Sequence, residues 1–177
     1  MIMLKNLFRS RPRARPGEAL YDLAVRQARE PAFYTALGVA DRIDARFELY
    51  TLHVLLLVMR LRDEGDRGAD PAQDLFDTYV SALDHALREL GVGDISVGKK
   101  MRKLGEAMYG RMTAYEPALR AGDAEALAAG LARNVFGSDD PAVGRALAAY
   151  ARDSRARLAA QDFEAVSVHP DWAEIKA

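Results

Sequence analysis

The sequence contains no cysteine, and its 177 residues include only three histidines and one tryptophan. Without cysteine the chain forms no disulfide, no thiolate metal site and no thiol nucleophile. The histidines, His53, His85 and His169, show no H-x-x-x-H or E-x-x-H spacing, so the sequence predicts no metal site. There is no G-x-S-x-G nucleophile motif, and no carboxylate pair stands out for acid–base chemistry. We therefore expect a protein that is not an enzyme, has no catalytic residues and uses no cofactor.

Long hydrophobic runs and strand patterns are also missing. The most apolar stretch, residues 54–59, is far shorter than the roughly 18 residues that span a bilayer. No alternating apolar run is bounded by turns, and no Asn-Gly or Asp-Gly hairpin occurs. The sequence instead predicts an all-α, single-domain bundle of about six or seven helices around a central apolar helix. We assign the helical domain to residues 18–161, between a basic tail (1–17) and a C-terminal extension (162–177) that we expect on the surface.

Capping residues and glycines mark the predicted helices. Asp41 or Asp44 is expected to cap the central helix, which runs to about residue 63 and is followed by a polar linker over 64–68. An acid and a proline, Asp70 and Pro71, predict the start of the next helix, and Gly91 its end.

The second half of the chain has signals of the same kind. A helix is predicted over about 97–115, and Pro117 is expected to end or kink it. Asp123 is expected to cap the following helix. The last one is predicted from 139–141 to about 161.

Positive charge is concentrated at the N-terminus. The first seventeen residues carry five basic side chains and no acid, which leaves −6 for the remainder of a chain whose net charge is −1. A basic segment with apolar neighbours is suited to an anionic membrane surface, although a solvated tail and an organelle-targeting sequence have the same composition. The predicted membrane-contact residues are Lys5, Arg9, Arg11, Arg13 and Arg15.

The stretch GDISVGKK, residues 93–100, is one residue from the phosphate-binding pattern G-x-x-x-x-G-K-[ST]. The hydroxyl that would bind magnesium is replaced by Lys100, and the preceding segment is helical, whereas a phosphate loop follows a strand. The stretch therefore predicts a helix start and not a nucleotide site.

The helix that begins there combines a basic cluster with an apolar stripe. Basic residues near a helix N-terminus oppose the helix dipole by some tenths of a kcal/mol, which suggests that the cluster serves a partner. Methionine suits surfaces that accept varied apolar segments, but a stripe at this spacing is also what a helix buries in a core. The cluster comprises Lys99, Lys100, Arg102 and Lys103, and the stripe comprises Met101, Leu104, Met108, Met112 and Tyr115.

These segments carry a family resemblance. GVGDISVGKKMRKLGEAMYGR (91–111) and RFELYTLHVLLLVMRLR (46–62) resemble the ubiquinol–cytochrome c chaperone family, and the similarity extends over about residues 33–136. The resemblance implies an all-helical assembly factor for the respiratory cytochrome bc1 complex, complex III, that binds newly made cytochrome b. It also implies that the protein is located at the membrane, either bound peripherally to the cytoplasmic side of the inner membrane or on the matrix side in an organelle. The short N-terminus favours a bacterial member. Mitochondrial members act with a small partner subunit, and the resemblance leaves open whether this chain has one.

The resemblance places most of the basic, Met-lined helix in the family's characteristic segment, together with Gly110. We therefore predict client contacts at Lys99, Lys100, Met101, Arg102, Lys103, Met108, Tyr109, Arg111, Met112 and Tyr115. His53 lies in the most apolar helix, where a hydrogen-bonded core histidine is expected, with a haem contact as the alternative because cytochrome b carries haem. Two other functions stay open: nucleic-acid binding through the basic cluster, which the acidic folded part disfavours, and a structural subunit of a larger complex.

Overall fold

The computed structural model describes residues 16–176, and these form helices with no β-strand among them. A π-helical turn, Ala132–Phe136, and a 3-10 turn, Pro141–Gly144, connect the sixth α-helix to the seventh. The predicted all-helical class is confirmed. The α-helices are α1 (Pro16–Ala28), α2 (Pro31–Thr35), α3 (Ile43–Arg62), α4 (Asp66–Glu89), α5 (Asp94–Ala121), α6 (Ala124–Leu131), α7 (Arg145–Ala160) and α8 (Phe163–Val168).

The third helix is the centre of the bundle. Every residue from 51 to 61 is buried, and α1, α4, α5 and α7 all pack against this helix. Leu57, near its middle, has no exposed surface. A helix that is apolar on most sides needs neighbours on most sides, and the prediction of a central helix is confirmed.

The polar linker predicted over 64–68 is shorter in the structure. Gly65 has a positive φ of +65°, which turns the backbone between α3 and α4. α4 starts at the next residue, Asp66, and Pro71 therefore lies inside the helix. Gly68 is the reason that the helix can begin so early. A Cβ at this position would overlap the carbonyl oxygen of Leu61, so only glycine allows the first turn of α4 to pack against the end of α3.

Pro117 does not end α5, which continues to Ala121, so the predicted end at this proline is wrong. Proline removes one backbone hydrogen bond, but burial of the following residues, Ala118 and Leu119, holds the last turn in place. The helix ends at Gly122, whose φ of +70° is the left-handed conformation that glycine favours.

The predicted aspartate caps have mixed outcomes. Asp123 caps α6, since its Oδ1 accepts the Ala126 N–H at 2.9 Å. Neither Asp41 nor Asp44 caps α3: the N-cap position is Arg42, without a side-chain bond, and Asp41 instead pairs with Arg46 at 2.7 Å. Ion pairing has displaced capping here because the arginine reaches the carboxylate from the first turn of the helix.

The C-terminal extension is part of the packed structure, and the expectation that it lies on the surface is wrong. Val166 of α8 has no exposed surface and Ala173 is 8% exposed. The Ala173 N–H donates to Ser154 Oγ of α7 at 3.1 Å, which fixes the extended segment after α8 against the core. The apolar side chains of Val166, Trp172 and Ala173 pack against the core although the segment contains only the short helix α8.

Candidate functional site

The first half of α5 exposes much of its surface, although Val97 near its start is buried. Between residues 98 and 107 no side chain is buried, and Lys99, Lys100, Arg102 and Lys103 are all exposed. The Arg102 guanidinium lies 3.7 Å from Glu106, but both side chains are more than two thirds exposed, so the pair contributes little. This half of α5 therefore presents an excess of positive charge to solvent.

Exposed and half-buried residues recur along one side of α5. Gly98, Arg102, Gly105 and Tyr109 follow each other at spacings of four, three and four, which places them on a single helical face. The side chain of Tyr109 is 71% exposed, whereas the other tyrosines among residues 16–176 are buried or half-buried. We call the following residues, which all lie outside the apolar stripe, the outer face of α5: Gly98, Lys99, Lys100, Arg102, Lys103, Gly105 and Tyr109.

The glycines of α5 have no packing role within the described chain. At Gly98, Gly105 and Gly110, no heavy atom lies within 4 Å of the place where a Cβ would be. At Gly130, by contrast, a Cβ would lie 2.9 Å from the ring of Tyr115. A glycine inside a helix costs roughly 0.5–1 kcal/mol relative to alanine. The contacts made within the chain do not account for this cost, and the open backbone at these positions is accessible to a partner.

The apolar stripe of α5 divides into two parts. Met108 and Tyr115 are 4% and 1% exposed, so the core interpretation of the stripe holds at these positions. Met108 and Met112 pack against α3 and α4, where their neighbours include Leu55, Phe76 and Tyr79. Met101 and Leu104, nearer the N-terminus of the helix, are half-buried. Met108 and Tyr115 have almost no surface to offer a client in this conformation. Client contact stays a prediction for the other predicted residues: Lys99, Lys100, Met101, Arg102, Lys103, Tyr109, Arg111 and Met112.

Arg111, another predicted contact residue, points into the protein. Its Nη2 donates to Glu48 Oε1 at 2.7 Å and its Nε to Oε2 at 3.0 Å, a two-pronged pair between α5 and α3. The Glu48 carboxylate raises the pKa of Arg111 through these hydrogen bonds. Sequence reasoning missed Glu48, although an acidic residue inside an apolar helix is itself a signal, since a buried carboxylate requires a partner.

A second polar contact fixes the same part of α5. Asn134 Nδ2, in the π-helical turn, donates to Tyr115 Oη at 2.8 Å. Burial raises the pKa of Tyr115 to about 12, so the hydroxyl is neutral at any physiological pH. The second half of α5 is thus anchored to the core by polar and apolar contacts, while much of the first half is exposed.

His53 is a core histidine, and both of its ring nitrogens have partners. Nδ1 lies 2.8 Å from the Leu49 carbonyl oxygen and Nε2 lies 2.8 Å from Tyr150 Oη, which assigns the proton to Nδ1 and makes Nε2 the acceptor. The rings of Phe33 and Trp172 pack edge-on against the imidazole. Burial lowers the pKa of His53 to about 4. A haem contact at His53 would require breaking the bond to Tyr150 and opening this aromatic cage.

The described residues include neither a cluster of metal ligands nor a membrane-spanning helix. Within residues 16–176, no three His, Asp or Glu side chains converge as metal ligands would. No helix in that range has the length and apolar character needed to cross a bilayer. The five predicted membrane-contact residues, Lys5 to Arg15, lie outside the described residues.

Comparison with known proteins agrees with the sequence resemblance. The chain matches the model of the ubiquinol–cytochrome c chaperone family over residues 35–170. It is 23% identical over 135 residues to ubiquinol-cytochrome-c reductase complex assembly factor 1 of Xenopus laevis, a match that covers 75% of this chain and 67% of that protein. The crystal structure of the Cbp3 homolog from Brucella abortus superposes with a TM-score of 0.80 at 34% identity and covers 90% of both chains.

The family match spans α3 to α8 and includes the central helix, the outer face of α5 and the Glu48–Arg111 pair. Neither the family nor these similar proteins support the nucleic-acid alternative or the structural-subunit alternative. The chain belongs to the ubiquinol–cytochrome c chaperone family.

Proposed function

We propose that this protein is a non-enzymatic chaperone for assembly of the ubiquinol–cytochrome c reductase complex, and that it binds newly made cytochrome b through the outer face of α5. The family and the name of the Xenopus relative support the role in assembly. The observation that carries the choice of surface is that residues 98–110 of α5 include exposed basic side chains, an exposed tyrosine and three glycines with open space where a Cβ would be.

The chemistry of this face suits a segment of an incompletely assembled membrane protein. Tyr109 supplies a large, rigid contact area with little loss of conformational entropy. Gly98 and Gly105 allow a client backbone or side chain to approach the helix closely, as small residues do where helices pack. The basic residues attract the acidic groups of a client loop or the phosphates that surround a membrane protein, and this attraction raises the association rate more than the affinity.

The basic tail supports a position next to the membrane. Each Lys or Arg near an anionic leaflet contributes about 1 kcal/mol of attraction, so five of them would bring the chaperone to the surface where its client is inserted. We therefore place the protein on the cytoplasmic side of the membrane, peripherally bound. A small partner subunit would be compatible with a helical body that leaves much of α5 uncovered.

Site-specific crosslinking tests the proposed surface. A photoreactive phenylalanine analogue at Tyr109 or Lys100 replaces an exposed side chain and should leave the fold intact. After irradiation in native membranes and identification by mass spectrometry, we expect cytochrome b as the dominant crosslinked protein. The same analogue at Asp139, exposed in the loop before the 3-10 turn, is the control and should not capture cytochrome b. Equal capture from Asp139, or none from α5, would contradict the assignment of this surface.

Charge reversal provides an independent test. The triple variant Lys99→Glu, Lys100→Glu, Lys103→Glu should fold normally, since solvated charges contribute little to stability, but should capture less cytochrome b. The matched control reverses three exposed arginines outside α5: Arg26, Arg42 and Arg133. If the control loses as much capture as the lysine variant, net charge and not the outer face is responsible. Unfolding of the lysine variant would show that the basic cluster is structural.

A further inference from the structure

A shallow basin of about 380 Å³ lies between the end of α5 and the outer side of α7. Leu119, Ala156 and Ala159 form its apolar floor, and Arg120, Arg152 and Arg155 surround it. The α7 members recur at spacings of three and four residues and so share one helical face. The basin exists because that face carries alanine at 156 and 159, where a longer side chain would fill the space.

Two of the arginines are held in place by carboxylates at the edge of the basin. Asp63, which follows α3, accepts from Arg120 Nη1 at 3.1 Å through one oxygen and from Arg155 Nη2 through the other. Glu116 accepts from Arg120 Nε at 2.8 Å. Arg155 is only 16% exposed in its side chain, so its position is fixed before any ligand arrives.

The third arginine is not paired in this way. Among the described residues Arg152 makes no hydrogen bond, and its nearest carboxylate oxygen, on the adjacent Asp153, is 3.8 Å away. Arg62 lies 3.9 Å from Glu116 and adds a fourth guanidinium to the cluster. Four arginines against Asp63, Glu116 and Asp153 leave one positive charge in excess. The side chain of Arg152 is 48% exposed and lines the basin, and among the described residues its donors make no hydrogen bond.

We propose that this basin binds a phosphate group, with Arg152 as the principal ligand, Arg120 and Arg155 as its pre-positioned neighbours, and the apolar floor against the rest of the molecule that carries the phosphate. Guanidinium groups present planar, paired donors that match phosphate oxygens, and they remain charged at all relevant pH values. A carboxylate ligand would use fewer of these donors. The site is separate from the outer face of α5 and does not depend on the identity of the client.

Phosphate reaches a protein of this kind either as a free ion or as a lipid headgroup, and a titration of the full chain separates the two. Amide NMR spectra of the ¹⁵N-labelled protein are recorded with inorganic phosphate at constant ionic strength, and separately with phosphatidylcholine vesicles with and without phosphatidylglycerol. We expect shifts or broadening centred on residues 118–122 and 152–159. A response of these residues to inorganic phosphate identifies the free ion, and a response confined to the phosphatidylglycerol vesicles identifies the headgroup. Either supports the site if Arg152→Gln removes it, because the basic tail alone would bring the variant to the vesicles without that local response.

Three variants make the test specific. Arg152→Gln removes the principal ligand and should weaken binding about tenfold, the effect of one charge-assisted hydrogen bond. Ala156→Leu retains every charge but fills the basin and should have a similar effect. Arg26→Gln removes one exposed arginine elsewhere and should change binding by less than about twofold. Circular dichroism confirms that each variant is folded. Wild-type affinity in Arg152→Gln, or no response of the basin residues to either ligand, overturns the proposal.

Discussion

The pair between Glu48 and Arg111 allows a quantitative prediction about how α5 is attached to the core. Removal of Arg111 as Arg111→Met leaves a carboxylate whose side chain is 6% exposed without a counter-charge. Breaking a buried pair from one side costs about 3–5 kcal/mol. We expect a value near the lower limit, about 3 kcal/mol, because the Arg111 side chain is 24% exposed and water can reach the carboxylate through the gap that the arginine leaves.

The reverse change should cost less. Glu48→Met leaves the guanidinium of Arg111 unpaired but able to turn toward solvent, and we expect a loss of about 1 kcal/mol. In the double variant no charge is buried, and two methionines fill a similar volume, so its stability should be within about 1 kcal/mol of wild type. The expected coupling between the two sites is therefore about 3–5 kcal/mol.

Urea unfolding followed by circular dichroism measures all four free energies of unfolding in one cycle. The m-value should be unchanged, which shows that the variants differ in stability and not in compactness. A loss below about 1 kcal/mol in Arg111→Met, or a double variant as unstable as the sum of the single variants, would refute the reasoning. Either result would mean that the pair is solvated in solution and that apolar packing alone holds α5.

Three further predictions concern the core and the glycines. Leu57→Asp should abolish the folded state, because it buries an unpaired charge in the fully enclosed central helix; a cooperative thermal transition in this variant would disprove the central position of α3. Gly68→Ala should destabilise the protein by about 2 kcal/mol or more through overlap with Leu61, whereas Gly105→Ala should stabilise it by about 0.5–1 kcal/mol; equal effects in chemical denaturation would refute the distinction between packed and open glycines. Since the pKa of His53 falls from 6.5 to about 4 on folding, the unfolded state binds more protons between these values, and stability should decrease by about 3 kcal/mol as the pH is lowered from 6.5 to 4. His53→Gln should remove that part of the pH dependence, measured as the difference from wild type in urea midpoints across the range.

Local signals in the sequence were sufficient for the helices themselves. The apolar run of α3, the cap at Asp123 and the glycine at position 91, with φ +76°, each act through neighbours a few residues away, and the structure has each feature where it was predicted. The predictions of a helix end at Pro117 and of a polar linker over 64–68 were wrong because they considered only neighbours along the chain. In both places contacts between helices outweighed the local preference, through burial after the proline and through close approach at Gly68.

The character of α5 could be only partly predicted. Its basic residues and methionines are visible in the sequence, and so is the resemblance to the chaperone family. Which methionines face inward, and that Arg111 binds a carboxylate 63 residues away, depends on how α5 lies against α3. The arginine basin likewise joins the ends of α3 and α5 to the side of α7. The sequence determined where this protein is helical, because backbone hydrogen bonds and caps are local; only the tertiary structure decided which surfaces are exposed, because burial is set by residues that are distant along the chain.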